Sequence, residues 1–331
     1  TGTGKTLGYL LPVIGAGKRA VVAVATRQLQ DQILHHDLPL ALDATGVELE
    51  VAVLKGRSNY LCRHRLDRQM RYHQGRHRAV PASLLAVDSV ARRAGQGERA
   101  EVAGVAADDP VWPEVTSTAD NCLGSECDFY EDCFVIQARR RALQADLVIV
   151  NHHILLANYA VQERFEGAGL LPEVDVIVID EAHELEDAVS DLFGLSLSSA
   201  RIEWLVRDLH NILDEQGAVG DELDTLFDGL SAAARLFYTT LSMLPPGEAL
   251  EPATLADLGQ PVAELDEAIG RLVGGLKRHL VELSTDVHTA IEALGTLRQD
   301  IDQLLGGQDS EDDLVCWVEP RQRSIAVKAR P

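Results

Sequence analysis

Residues 176–183 read Val-Ile-Val-Ile-Asp-Glu-Ala-His, and this octet constrains the fold more than any other part of the chain. Four consecutive β-branched residues leave no polar face, so the segment reads as a buried strand of a parallel sheet. The run is too short for a buried helix. Asp180 and Glu181 then end it with two carboxylates that cannot follow the strand into a core. They belong at the carboxyl edge of the sheet, where open α/β proteins bind ligands.

The strand expected here spans 174–179, and runs at 21–24, 49–54 and 147–150 share its composition. Helical apolar spacing over 7–14 and 27–36 alternates with the first of them, which predicts a doubly wound α/β sheet. The sheet is interrupted between Leu54 and Asp146. After His183 the pattern becomes helical with acidic faces, as in Ile202, Leu205, Leu209 and Ile212, and again in Leu280, Leu283, Val287, Ile291 and Leu294. Breaks are expected at Pro245-Pro246-Gly247 and at 306–310, followed by strand-like stretches at 314–318 and 324–327.

The chain opens Thr1-Gly2-Thr3-Gly4-Lys5-Thr6, which matches the end of the phosphate-binding loop G-x-x-x-x-G-K-[ST], whose first glycine is expected upstream. Backbone N–H groups of Gly2, Thr3 and Gly4 are suited to close around the phosphates of ATP, Lys5 to reach the β and γ phosphates, and Thr6 to offer a hydroxyl to Mg²⁺. A helix starting there adds its positive end. Asp180 is the expected partner of Mg²⁺ and Glu181 the expected base or orienter of the attacking water, with His183 completing the catalytic set.

Charge is unevenly spread. The 331 residues hold 30 Lys and Arg against 52 Asp and Glu, a net −22 that by itself disfavours an anionic partner. Yet residues 55–100 carry eleven bases and three acids, whereas 184–311 carry seven bases and twenty-five acids, so the acidity belongs to one region. Lys55, Arg57, Arg63, Arg65, Arg68 and Arg71 form a candidate strand-binding surface with Tyr60 to stack on a base, and Thr26 and Arg27 are candidate phosphate contacts at a strand end. Asn151, His152 and His153 read equally as a helix cap and packing residues. No run of eighteen apolar residues is present, so no membrane-spanning helix and a cytoplasmic location are expected.

Four of the five cysteines are grouped: Cys62, then Cys122, Cys127 and Cys133 with gaps of four and five residues. Four thiols suit either a tetrahedral zinc ion or a [4Fe-4S] cluster, and spacing alone leaves both open. Cys316 lies in a strand-like stretch and reads as a core residue.

Together these segments resemble the iron-sulfur superfamily 2 DNA helicases of the XPD/DinG group, in particular the bacterial DinG/YoaA-like branch. The likeness is carried by Thr1-Gly-Thr-Gly-Lys-Thr6, Leu29-Gln-Asp-Gln-Ile33, Lys55-Gly-Arg-Ser-Asn-Tyr-Leu-Cys62, Asn121-Cys-Leu-Gly-Ser-Glu-Cys127, Ala145-Asp-Leu-Val-Ile-Val-Asn-His-His153 and Asp180-Glu-Ala-His183. It implies a P-loop, RecA-like motor domain over 1–54 and 141–184, the latter with the DEAH box, and an inserted iron-sulfur domain over 55–140. It further implies a helical arch over 185–310 and a return to the motor domain over 311–331. By the same resemblance Cys62, Cys122, Cys127 and Cys133 hold a [4Fe-4S] cluster, with zinc the less favoured occupant, and the protein moves 5′ to 3′ on single-stranded, forked or damaged DNA alongside replication or repair proteins.

The second motor domain of that group, with its ATP-completing arginine, has no counterpart in the sequence, so the chain is expected to be the N-terminal half of a longer helicase that does not unwind alone. The alternative is a noncatalytic, metal-stabilised DNA-binding or protein-interaction module. A zinc nuclease lacks the additional carboxylate and histidine constellation it would need.

Overall fold

A computed structural model describes residues 4–77, 79–93, 95–164, 169–251, 254, 257–280, 283–306, 315–321 and 324–330. Two compact units divide the chain: Thr1–Thr118 with Cys127–Leu192, and Ala119–Glu126 with Phe193–Pro331. Gly2, Thr3 and residues 307–314, for which expectations were stated above, lie outside the described residues.

In the first unit four parallel strands, β1 (Ala20–Val24), β2 (Val51–Val53), β3 (Leu147–Asn151) and β4 (Val176–Ile179), lie in the order β2-β3-β1-β4. The central β1 is buried along its whole length, and its alternate residues enter different cores. Ala20, Val22 and Val24 pack with Leu10, Val13 and Ile14 of α1 (Lys5–Gly15) and with Ile33, Leu38 and Ala41. The latter follow α2 (Arg27–Gln32): a π-helical turn over Ile33–Asp37, then α3 (Leu38–Thr45), so the single helix expected over 27–36 is interrupted.

Val21 and Ala23 face the opposite core. There the residues inserted between β2 and β3 supply the cover: α4 (Arg63–Gly75), α5 (Ala82–Ala91), α6 (Val111–Val115) and α7 (Phe134–Gln144). The gap between the second and third strands is thus a chain excursion that covers one face of the sheet. Its tightest point is Gly97 (φ 67°), where a Cβ would collide with the Phe134 ring, so only glycine fits. Beyond β3 come α8 (His152–Arg164), β4 and α9 (Leu185–Phe193).

The second unit packs α10 (Ser199–Glu215), α11 (Asp221–Ser242), α12 (Gly259–His279) and α13 (Thr285–Ile301) around a core that includes Ile202, Leu205, Leu209 and Ile212 as the periodicity predicts. The second expected run is broken: Leu280 caps α12, and the Ser284 hydroxyl accepts the Val287 N–H to start α13. Apolar spacing at three and four residues continues across this break, which is why the run reads as one helix in sequence.

Two further strands, β6 (Val315–Arg321) and β7 (Ser324–Arg330), form an antiparallel sheet with β5 (Leu195–Ser198) in the order β5-β7-β6. β6 and β7 pair with β5 and not with the four-stranded parallel sheet. Cys316, Val318, Val327 and Ala329 pack instead into the helical core, because the apolar face of this small sheet is covered by those helices.

Candidate active site

Gly4 takes a left-handed conformation (φ 73°) that turns the chain into α1, placing Lys5 and Thr6 in its first turn. No side chain caps that turn, so its leading N–H groups face outward as an anion-binding end. Across the sheet, β4 ends opposite Ala23, and the N–H of Asp180 bonds the Ala23 carbonyl at 2.9 Å. Strand register therefore carries Asp180 and Glu181 to the carboxyl edge.

Lys5 Nζ lies 2.8 Å from Glu181 Oε1. This contact raises the lysine pKa and holds the Glu181 carboxyl below its usual range. Asp180 is held by both oxygens: Oδ1 accepts the Glu181 N–H at 2.9 Å and Oδ2 accepts the Tyr9 hydroxyl at 3.1 Å. Burial, then the nearby Asp180 charge, pushes the Tyr9 pKa far upward, so the phenol stays a donor at neutral pH. Glu181 itself is left-handed (φ 49°), a strained conformation for a non-glycine residue. His183 is exposed, with Nδ1 3.5 Å from Glu181 Oε2 and Nε2 3.4 Å from Glu184 Oε1.

Sequence reasoning missed Tyr9, although its place three residues after Thr6 puts both on one face of α1. It also left His152 as a packing residue. The ring is buried, and Nε2 lies 2.9 Å from the Asp180 carbonyl oxygen. Asn151 does act as a cap, its Oδ1 accepting the Ile154 N–H at 2.9 Å.

The expected strand-binding surface is largely internal. Tyr60 is 1% exposed, and its hydroxyl accepts the Lys55 N–H at 3.1 Å, so it cannot stack on a base as placed. Lys55 is enclosed between Glu98 at 2.7 Å and Asp31 at 3.0 Å; burial works against its charge, but those hydrogen bonds outweigh it and its pKa rises. Arg65 and Arg68 are buried, with Arg65 Nη2 donating to the Pro113 carbonyl at 3.0 Å. Arg63 donates to the carbonyls of Asp132 and Ala91, both at 2.9 Å, and lies over the Phe134 ring. Arg57 donates to the Thr118 carbonyl at 3.3 Å, and exposed Arg71 pairs with Asp67. At the sheet edge, the Thr26 hydroxyl accepts the Leu29 N–H as the cap of α2, and Arg27 bonds Asn59. Lys55 and most of these arginines are thus committed to carbonyls and carboxylates of the protein itself.

None of the five cysteines forms a disulfide. Cys62 precedes α4 and Cys133 precedes α7. Burial pushes the Cys62 thiol up to about 11, and the neighbouring Cys133 and Cys127 act in the same direction, so these three share one locality. Cys122 lies in the Ala119–Glu126 segment. Among the described residues, no three of His, Cys, Asp or Glu converge as ligands of a single metal ion.

A parallel sheet whose carboxyl edge joins a Gly-Lys-Thr helix start to an Asp-Glu pair is an α/β domain of the kind found in RecA-like helicases. Comparison with known proteins narrows this. The DEAD_2 family matches residues 117–202. The ATP-dependent DNA helicase YoaA of Escherichia coli (strain K12) is 44% identical over 241 residues, 73% of this chain and 38% of that protein. The ATP-dependent helicase DinG of Mycobacterium tuberculosis (strain ATCC 25177 / H37Ra) is 32% identical over 268 residues, 75% of this chain and 38% of that one. A Bacillus subtilis (strain 168) protein named 3′-5′ exonuclease DinG matches 100% of the chain at 24% identity, over 40% of its own length. The chain belongs to the DinG/YoaA-like superfamily 2 helicases, and it spans about two-fifths of the length of these relatives.

Proposed function

We propose that this chain is the nucleotide-hydrolysing first motor domain of a bacterial, cytoplasmic ATP-dependent DNA helicase that moves 5′ to 3′ on single-stranded DNA. The observation that carries the reading is the 2.8 Å contact between Lys5 and Glu181, which joins the phosphate-binding residue to the water-orienting one across 176 positions of sequence. The helicase names of the YoaA and DinG relatives supply the nucleic-acid part of the reading. Among the described residues, no helix is long and apolar enough to cross a membrane.

In this reading the first turn of α1 and Lys5 bind the phosphates of ATP, with Gly2 and Thr3 in the same loop. Thr6 and Asp180 would hold Mg²⁺, Thr6 from the first turn of α1 and Asp180 from the end of β4, where Tyr9 already orients its Oδ2. Glu181 orients the attacking water and takes its proton, and His183 beside it adjusts the charge on that carboxylate. Lys5, released from Glu181 onto the phosphates, leaves the carboxylate free to do so.

Cys62, Cys122, Cys127 and Cys133 are proposed to hold a [4Fe-4S] cluster within an inserted domain, and α10–α13 to form the arch. The thiols fit the group: none of the four is in a disulfide, and Cys62, Cys127 and Cys133 are electrostatic neighbours. The gaps of four and five residues between Cys122, Cys127 and Cys133 are at or beyond the wide end of the spacing usual for zinc pairs, which favours the cluster as occupant. The cluster supplies four thiolate cross-links to the inserted segment; Arg63, on the Asp132 carbonyl beside Cys133, orders the chain there.

The test is ATP hydrolysis by the full-length protein with and without single-stranded DNA. DNA-stimulated turnover that disappears in Lys5→Ala is expected; an unstimulated protein, or one unaffected by that substitution, refutes the reading. Mg²⁺-dependent nucleotide binding lost in Asp180→Asn separates it from a noncatalytic module.

A further inference from the structure

His152 opens α8 directly after β3, and its ring is 1% exposed. Nε2 lies 2.9 Å from the Asp180 carbonyl oxygen. A carbonyl oxygen only accepts, so Nε2 carries the hydrogen and donates it. Nδ1 is buried with no hydrogen-bond partner among the described residues. The hydrogen bond that the ring does make is to the peptide joining Asp180 to Glu181.

That attachment crosses the sheet. β3 and β4 are not neighbours, because β1 lies between them, with Val24 opposite Asn151 and Ala23 opposite Ile179. His152 therefore reaches past the end of the intervening strand. The peptide it holds leads into Glu181 at φ 49°, a conformation that a side-chain-bearing residue keeps only where its surroundings impose it. The other polar groups of Asp180 are already fixed, the N–H by Ala23, Oδ1 by the Glu181 N–H and Oδ2 by Tyr9, and His152 fixes the carbonyl. An apolar side chain would fill the same space without burying an unmet Nδ1, so the donor, not the volume, accounts for an imidazole here.

We propose that His152 is a positioning residue for hydrolysis: its Nε2–H, bound to the Asp180 carbonyl, holds the left-handed turn that aims the Glu181 carboxylate at the attacking water. This rests on the ATPase reading above. The test measures kcat and KM for ATP, with single-stranded DNA, in the full-length wild type and in Lys5→Ala, His152→Asn, His152→Leu and His152→Gln. Glutamine carries its amide nitrogen out to the reach of Nε2, whereas that of asparagine stops near Nδ1.

The asparagine and leucine variants are expected to lose roughly 3- to 10-fold in kcat, the worth of one hydrogen bond, with KM held within about twofold, and glutamine to return kcat to within about twofold of wild type. Wild-type kcat in His152→Asn or His152→Leu overturns the proposal, as does a glutamine variant no better than leucine. If the asparagine variant does not fold, the comparison of glutamine with leucine decides. A wild type without ATPase, or with ATPase that survives Lys5→Ala, refutes the ATPase reading itself and this proposal with it.

Discussion

Lys5 and Glu181 form an ion pair of 2.8 Å between the first turn of α1 and the end of β4. The pair is exposed on both sides, so its significance is positional rather than energetic. It sets the phosphate-binding cation directly against the carboxylate proposed to act on water.

The two pKa shifts keep this pair charged over a wide range. Glu181 is depressed by Lys5, so the attraction is complete above the ordinary carboxylate pKa and is lost only as pH falls through the lowered value. Lys5 is raised by Glu181, so the upper limit is reached only as pH climbs through the raised lysine value. Lys5→Ala should therefore remove ATP hydrolysis while shifting the melting temperature by less than about 2 °C, the behaviour of a surface pair. Calorimetry alongside an ATPase assay checks both halves of this expectation.

Tyr60 distinguishes a packing role for the basic segment from a strand-binding one. Its hydroxyl is committed to the Lys55 N–H inside a packed core. Tyr60→Phe should destabilise the protein by about 1 kcal/mol, through an unmet buried N–H, and leave affinity for single-stranded DNA unchanged. Phenylalanine keeps the ring, so the stacking role would be restored by a folded Tyr60→Leu, which lacks it, with weakened DNA binding. Urea denaturation and fluorescence anisotropy with a labelled oligonucleotide give the two readouts.

The contrast between Tyr60 and Glu181 shows which parts of the molecule were legible in the sequence. β4 and its two carboxylates were readable as a strand and its polar end, but the place of the strand was not: β4 lies at the sheet edge with Ile177 and Ile179 exposed, where its composition suggests cover on both faces. The partners of Tyr60 and Lys55 were not, because Glu98 and Asp31 come from distant sequence positions and only the folded insert brings them together. Tyr9 and His152 were hidden for a related reason. A tyrosine on an apolar helix face and a histidine after a strand both pass for packing residues until the Asp180 oxygens are placed beside them. β6 and β7 were visible as strands, but composition does not say which sheet a strand joins.

Cys62 provides the test of the cluster. Cys62→Ser should abolish the broad absorption near about 400 nm in anaerobically purified protein and lower its iron and sulfide content together. Cys316→Ser serves as the control, since that thiol is buried and donates to the Leu304 carbonyl at 3.4 Å. It should leave the spectrum intact. A colourless wild type that carries zinc would assign the four cysteines to a tetrahedral ion instead.

Arg201 is the ionic centre of the second unit. Its guanidinium binds Asp120 through two bonds of 3.0 Å, and Nη1 also reaches Asp300. Burial alone would lower its pKa, but the hydrogen bonds to Asp120 and Asp300 prevail and raise it. Arg201→Met keeps much of the side-chain volume while leaving two carboxylates, each about four-fifths enclosed, without their cation. Destabilisation of roughly 2–4 kcal/mol is expected, somewhat under the range for a fully buried pair because some solvent reaches the site. Adding Asp300→Asn should recover part of this loss by removing one of the stranded charges, so the two changes should be non-additive in a double-mutant cycle followed by urea unfolding. Because Asp120 stands two residues before Cys122, hydrogen exchange should also quicken across Ala119–Glu126 in Arg201→Met, and unchanged exchange there would show that Arg201 does not anchor the segment.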